Sequence, residues 1–256
     1  MKLHIANGDA QLPELQSLGL EGRIIPWREA LVDGPVRGAL ATEDFWSTRK
    51  TFVEGAYGAS PASYEKDIIE EFMKIIHIGS WNDIVLWFDR DLFCVVNATF
   101  LIYHLRASHA MGTHITWMLD GQPLELTRDD LAYAAQMWRA YAGPEPRELE
   151  RLINKEPAGA LGFVRDAYAL HLHRFPSVDT GRSLVEETLL SSDDPQPLTQ
   201  FLREHNEGYG FGDVQLERIM NRLQPESGSP VVLGGYSPTS DTDLRWDASA
   251  KRLVAV

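Results

Sequence analysis

The sequence predicts an α/β protein built on an open parallel sheet, and three observations carry that reading. Over residues 1–125, short apolar runs alternate with helical patterns, which is the order that parallel crossovers require. The run from Asp83 to Phe88 shows no polar alternation, as expected of a strand covered on both faces. Beyond residue 125 the strands stop and helices take over, until a hairpin pattern closes the sequence. The expected organisation is a Rossmann-like domain over 1–125, a helical connector over 126–175 and a small winged-helix-like module over 176–256.

Each element has a local reason. Leu3 to Ile5 reads as a strand opening into Asn7-Gly8-Asp9, and Leu12, Leu15 and Leu18 give Gln11 to Leu18 one helical stripe. Arg23 to Trp27 is a second strand, followed by a polar loop to Asp33-Gly34-Pro35. Helices are expected over about 42–54 and 63–76. Asp83 to Phe88 is the third strand. Leu92 to Ala107 is apolar nearly all round and therefore a buried helix. His114 to Leu119 is the fourth strand, ending at Asp120-Gly121.

Thr127 is a good N-cap for a helix from Arg128 to Tyr141, with Asp129 and Asp130 in its first turn. Gly143-Pro144-Glu145-Pro146 breaks that helix, and helices from Arg147 to Lys155 and Gly159 to Arg174 follow. Phe175 to Gly181 reads as a linker. Ser183 caps the first of three short helices, Leu184 to Leu190, Leu198 to His205 and Asp213 to Leu223. Val231 to Leu233 is strand-like, and Asp243 to Trp246 with Arg252 to Val256 brackets a hairpin. Three helices and a hairpin are the order of a winged helix.

The formal charge of −13 disfavours non-specific binding to nucleic acid or anionic membrane. A single cysteine, Cys94, allows no internal disulfide and no thiolate zinc cluster. The opening MKLHIANGD lacks the apolar core of a signal peptide. The most apolar segment, Leu92 to Leu105, is shorter than the roughly 20 residues a membrane span needs. A cytoplasmic protein with no membrane association is expected.

Leu3-His4-Ile5 with Asn7-Gly8-Asp9, Trp27-Arg28-Glu29 with Asp33-Gly34-Pro35, and Leu86-Trp87-Phe88 with Asp91-Leu92 together form a recognisable series. In that order and spacing they resemble a bacterial family known as domain of unknown function 1835. Phe175-Pro176-Ser177, Gly181, Gly212-Asp213-Val214-Gln215-Leu216 and Trp246-Asp247 resemble its companion C-terminal module, domain of unknown function 3658. Together the two likenesses cover nearly the whole chain. They imply an organisation but no activity. The family usually has Glu-His-Asp where Asp89-Arg90-Asp91 stands here, so any role of a histidine at that place is absent.

Ligands of open parallel sheets bind beyond the carboxyl ends of the strands. Three strands here end in polar clusters, which makes Asn7, Gly8, Asp9, Arg28, Glu29, Asp33, Asp89, Arg90 and Asp91 the candidate ligand-binding residues. The ligand class they suggest is small and phosphorylated or nucleotide-like, held by a binding or sensor protein. The sharper alternative is a metal-dependent phosphoesterase or nuclease-like enzyme. Asp9, Asp89 and Asp91 would then hold Mg²⁺ or Mn²⁺ while Arg28 grips phosphate. The plainer one makes Asp9 and Asp91 helix caps and pairs Asp89 with Arg90 or Arg28. Asp-x-Asp also occurs in Toprim metal sites, but that pattern wants a glutamate after the first strand, where Asn7 and Asp9 stand.

The dinucleotide fingerprint is missing, so no NAD or FAD is expected. Gly208-Tyr209-Gly210-Phe211-Gly212 reads as a flexible turn before a helix. His171 and His173 point to different helix faces and cannot share a metal. His77, His104 and His109 read as satisfied or solvated, and Cys94 as a packed thiol.

In the last helix Leu216, Ile219, Met220 and Leu223 form the packed stripe, while Gln215, Arg218 and Arg222 share another face. Those three would be the DNA-reading residues of a transcriptional regulator. Residues 175–256 hold 7 Lys+Arg against 13 Asp+Glu, a net of −6, which argues against nucleic acid. A homodimer or protein partner suits that module better.

Overall fold

The computed structural model describes residues 1–36, 38–77, 81–155, 159–192, 196–223, 233–234 and 244–255. Its centre is a five-stranded sheet of β1 (Lys2–Asn7), β2 (Arg23–Trp27), β4 (Asp83–Trp87), β5 (His114–Leu119) and β6 (Gln122–Glu125), in the order β2-β1-β4-β5-β6. The first four are parallel: Ile5 lies between Ile25 of β2 and Leu86 of β4, and Leu86 faces Trp117 of β5. The two-residue strand β3 (Gly34–Pro35) stands apart and pairs with β7 (Leu233–Gly234).

Strand β6 is an addition to the expected four. It runs antiparallel to β5 with Leu119 opposite Gln122, which leaves Asp120 and Gly121 as a two-residue turn. Both have positive φ, 51° and 74°, the geometry whose twist suits a tight hairpin. Asp-Gly is the usual sequence for that turn, but Gln122-Pro123-Leu124-Glu125 carries no strand pattern of its own.

The crossovers are helical. They are α1 (Leu12–Ser17), α2 (Glu43–Tyr57), α3 (Pro61–Tyr64), α4 (Glu70–Ile75) and α5 (Leu92–Ala110), with one wide π-turn at Glu65–Ile69 joining α3 to α4. Thr42 caps α2 by accepting from the Phe45 amide, and Gly58 in the left-handed region ends it. α5 runs three residues beyond its expected end and is buried on nearly every side. Its Phe100 ring stacks on Trp27 and Phe45 at centroid distances of 5.4 and 5.7 Å.

Helices follow over residues 128–222: α6 (Arg128–Tyr141), α7 (Pro146–Ile153), α8 (Gly162–Leu172), α9 (Leu184–Leu190), α10 (Pro197–Glu204) and α11 (Asp213–Arg222). Reciprocal capping boxes start α6 (Thr127 with Asp130) and α9 (Ser183 with Glu186). α8 starts at Gly162 rather than Gly159. The hairpin is β8 (Leu244–Asp247) with β9 (Arg252–Ala255). Val231 and Val232 of the strand-like run, and the hairpin ends Asp243 and Val256, lie outside the described residues.

One apolar cluster joins the sheet, α5 and α6 to Val185, Leu189, Phe201, Tyr209, Phe211, Leu216 and Ile219 of the C-terminal segment. A second, smaller cluster of Leu172, Phe175, Leu244 and Leu253 lies under the hairpin. Among the described residues no helix is long and apolar enough to cross a membrane.

Candidate functional site

Because β1, β2 and β4 are parallel, their polar ends share one edge of the sheet. The strand order reverses between β1 and β4, which is where open sheets bind ligands. Asp89, Asp91 and Cys94 meet in that crevice, each offering a ligand atom within 4.8 Å of the others. Asp91 caps α5, its Oδ1 accepting from the Cys94 amide at 2.8 Å. Asn7 Nδ2 donates to the Cys94 sulfur at 3.0 Å. Burial, then the Asp91 charge, pushes the Cys94 thiol well up, so it stays protonated. A protonated thiol beside two carboxylates is a poor donor set for Mg²⁺ or Mn²⁺, which favour oxygen. Partial desolvation raises Asp89, with Asp91, Asp120 and Glu14 adding repulsion.

A loop of the chain itself packs on the α5 end of this crevice, while Asp89 stays exposed. Leu92 N donates to Gly208 O at 2.8 Å and Phe93 N to Tyr209 O at 3.1 Å. With Asp91 on the next amide, the first three N–H groups of α5 all have acceptors within the chain. The approach is close enough to demand glycine. A Cβ on Gly210, where φ is +65°, would lie 2.1 Å from Asp91 Oδ1, and one on Gly208 would lie 2.6 Å from Leu170 Cδ1. Asn206 braces the loop by donating to Phe211 O at 2.8 Å and accepting from Phe211 N at 2.9 Å. The glycine run is thus a turn before α11 and also a seal on α5. The glycines signalled tight backbone, but nothing in the sequence named the helix they approach.

Glu29 and Asp33 leave the edge for the interior. Glu29 is 2% exposed, and Arg49 Nη2 donates to its Oε1 at 2.6 Å with both side chains buried. Tyr64 Oη also donates to Glu29, as does the Ala30 amide at 3.0 Å. Arg49 Nη1 donates further to Asp33 O at 2.7 Å. The Asp33 carboxylate accepts from Tyr57 Oη at 2.6 Å and forms an ion pair with Arg218 of α11. Arg90 turns away to Asp120 at 3.0 Å and lies over the Phe163 ring.

This arrangement redirects the residues on the polar face of α11. Arg218 lies over the Phe52 and Tyr57 rings, 4.8 and 5.4 Å from their centroids. Gln215 is buried and accepts from the Gly212 amide at 2.6 Å. Burial lowers the pKa of Arg222. Gln215 and Arg218 therefore face the α/β domain rather than solvent, because they complete a buried polar network there.

Arg28 reaches an open cleft at the edge. Its Nε donates to Asp9 Oδ2 at 2.8 Å, which raises its pKa further, and its Nη1 donates to Asp67 O at 3.3 Å. Nη2 has no hydrogen-bond acceptor among the described residues. The cleft measures about 260 Å³ and is lined by Arg28, Val53, Tyr57, Ser63, Tyr64 and Asp67, among others. Asp9, held by Arg28, stands outside the Asp89–Asp91–Cys94 group. The structure thus brings Asp9 to Arg28, and Asn7 to Asp91 through Cys94, but does not gather Asp9, Asp89 and Asp91. The tyrosines, Ser63 and Asp67 were missed, since they lie on helices that sequence pattern marks only as packing elements. No known family, curated protein or solved structure matches the chain.

Proposed function

We propose that the protein binds a small phosphorylated or nucleotide-like ligand at the edge of its sheet, in the cleft headed by Arg28, and acts as a sensor rather than a catalyst. The observation that carries this is the Arg28 guanidinium. It is fixed by Asp9 and Asp67 O, keeps Nη2 donors without an acceptor, and shares the cleft with the rings of Tyr57 and Tyr64. A planar cation suits a phosphate oxygen, and tyrosine rings suit a flat or apolar body. The volume of about 260 Å³ fits a sugar phosphate or part of a mononucleotide better than a dinucleotide. Tyr57 also carries the hydrogen bond to Asp33, so an occupied cleft adjoins the contact between Asp33 and α11.

The test is a thermal-shift and calorimetric screen of nucleotides, sugar phosphates and inorganic phosphate, with chelator and with Mg²⁺ or Mn²⁺. Saturable binding in chelator is expected. Affinity should fall about tenfold or more in Arg28→Ala, since a hydrogen bond to a charged group contributes roughly 1.5–3 kcal/mol. Binding that needs metal and vanishes in Asp89→Asn would move the reading to metal-assisted phosphoester chemistry. Silence from the whole panel would end it.

A further inference from the structure

A second cavity lies where α8, α9 and the β8–β9 hairpin meet. It measures about 490 Å³, inside the range of about 300–1,000 Å³ usual for small-molecule sites. Leu172, Phe175 and Trp246 give it apolar walls, and His173, Glu187 and Lys251 also line it. The polar groups are set out unusually. Glu187 and Lys251 border the same space yet form no ion pair with each other, and Lys251 has no ion-pair partner among the described residues. The Glu187 carboxylate accepts from the Thr180 hydroxyl and has no ion-pair partner among the described residues. His173 sits with its ring 5.1 Å from that of Trp246, and its buried Nδ1 has no hydrogen-bond partner.

We propose that this cavity is a binding site for an α-amino acid with an apolar side chain. Lys251 would take the carboxylate, Glu187 the ammonium group, and the wall of Leu172, Phe175 and Trp246 the side chain. Opposite charges that border one apolar space without pairing match a zwitterion, whose ammonium and carboxylate groups are both attached to one carbon. A ligand with only one of them leaves the other protein charge unanswered.

Isothermal titration of the full chain with L-phenylalanine and L-leucine tests this. Saturable one-to-one binding is expected for both. The single-charge analogues 2-phenylethylamine and 3-phenylpropanoate should each bind at least about tenfold more weakly than L-phenylalanine. Lys251→Ala and Glu187→Gln, both at a solvent-accessible rim, should leave the melting temperature unchanged and each weaken L-phenylalanine by about tenfold. Arg28→Ala should bind L-phenylalanine as the wild type does, which separates this site from the phosphate cleft. No saturable heat from either amino acid, equal binding of the analogues, or unchanged affinity in both rim variants would overturn the proposal.

Discussion

The Arg49 guanidinium shows how little of a residue's fate is local. It lies on α2 among ordinary helix formers, yet it is fully buried and holds Glu29 together with the Asp33, Pro35 and Ala30 carbonyls. Removing one partner of such a pair leaves a buried charge unanswered, at about 3–5 kcal/mol. Arg49→Met should lose stability on that scale in urea unfolding, and Arg49→Met with Glu29→Gln should recover part of it. A loss below about 1 kcal/mol would contradict the network as drawn. Asp89 offers a pH test with the opposite sense. Its raised folded-state pKa means that the native protein holds the proton more firmly than the unfolded chain does. Its contribution is present below the ordinary value of 3.8 and is lost as pH rises through the raised value. Asp89→Asn should therefore melt above the wild type at neutral pH, with the gap closing in acid. Solvent at this exposed position keeps the difference small. Lower melting at neutral pH would show the carboxylate to be a needed partner instead.

Elements were legible where their pattern was self-contained. β1, β2, β4 and β5 follow from apolar runs between turn signals, and α6 and α9 from caps that lie within four residues of each other. β6 was not legible, because pairing with β5, rather than its own residues, makes it a strand. The same limit applied at the edge of the sheet. Parallel strand order placed the polar clusters together, but Glu29 and Asp33 read as edge groups until Arg49 and Arg218 drew them inward. The α5 terminus is the sharpest case. Asp91 as its cap could be read from the sequence, but the carbonyls of Gly208 and Tyr209 on the adjoining amides could not. Gly210→Ala should cost more than about 1 kcal/mol, the usual left-handed penalty, because the added Cβ also collides with Asp91. Hydrogen exchange should then quicken at the Leu92 and Phe93 amides while β1 and β4 stay protected. Unchanged exchange there would mean that the loop does not seal the helix.

Over the whole molecule, the C-terminal segment is tied to the sheet by polar contacts as well as by the shared apolar cluster. Arg218 meets Asp33, and Arg174 donates to Val32 O at 2.8 Å while lying over the Phe211 ring. Arg218→Ala removes the ion pair to Asp33 and two ring contacts at once. It is expected to lower the melting temperature by several degrees while the transition stays single, as followed by calorimetry. Two separated transitions in the wild type would mean that these contacts do not couple the segments. The seal on α5 also has a bearing on the order of synthesis. The central strands and α5 leave the ribosome long before Gly208 and Tyr209 do. Until that late loop arrives, Leu92 and Phe93 present their amides to water or to whatever acceptor is at hand. The start of α5 beside the crevice between β1 and β4 is therefore uncovered in the early nascent chain and gains its backbone acceptors only once the segment through Tyr209 has been made.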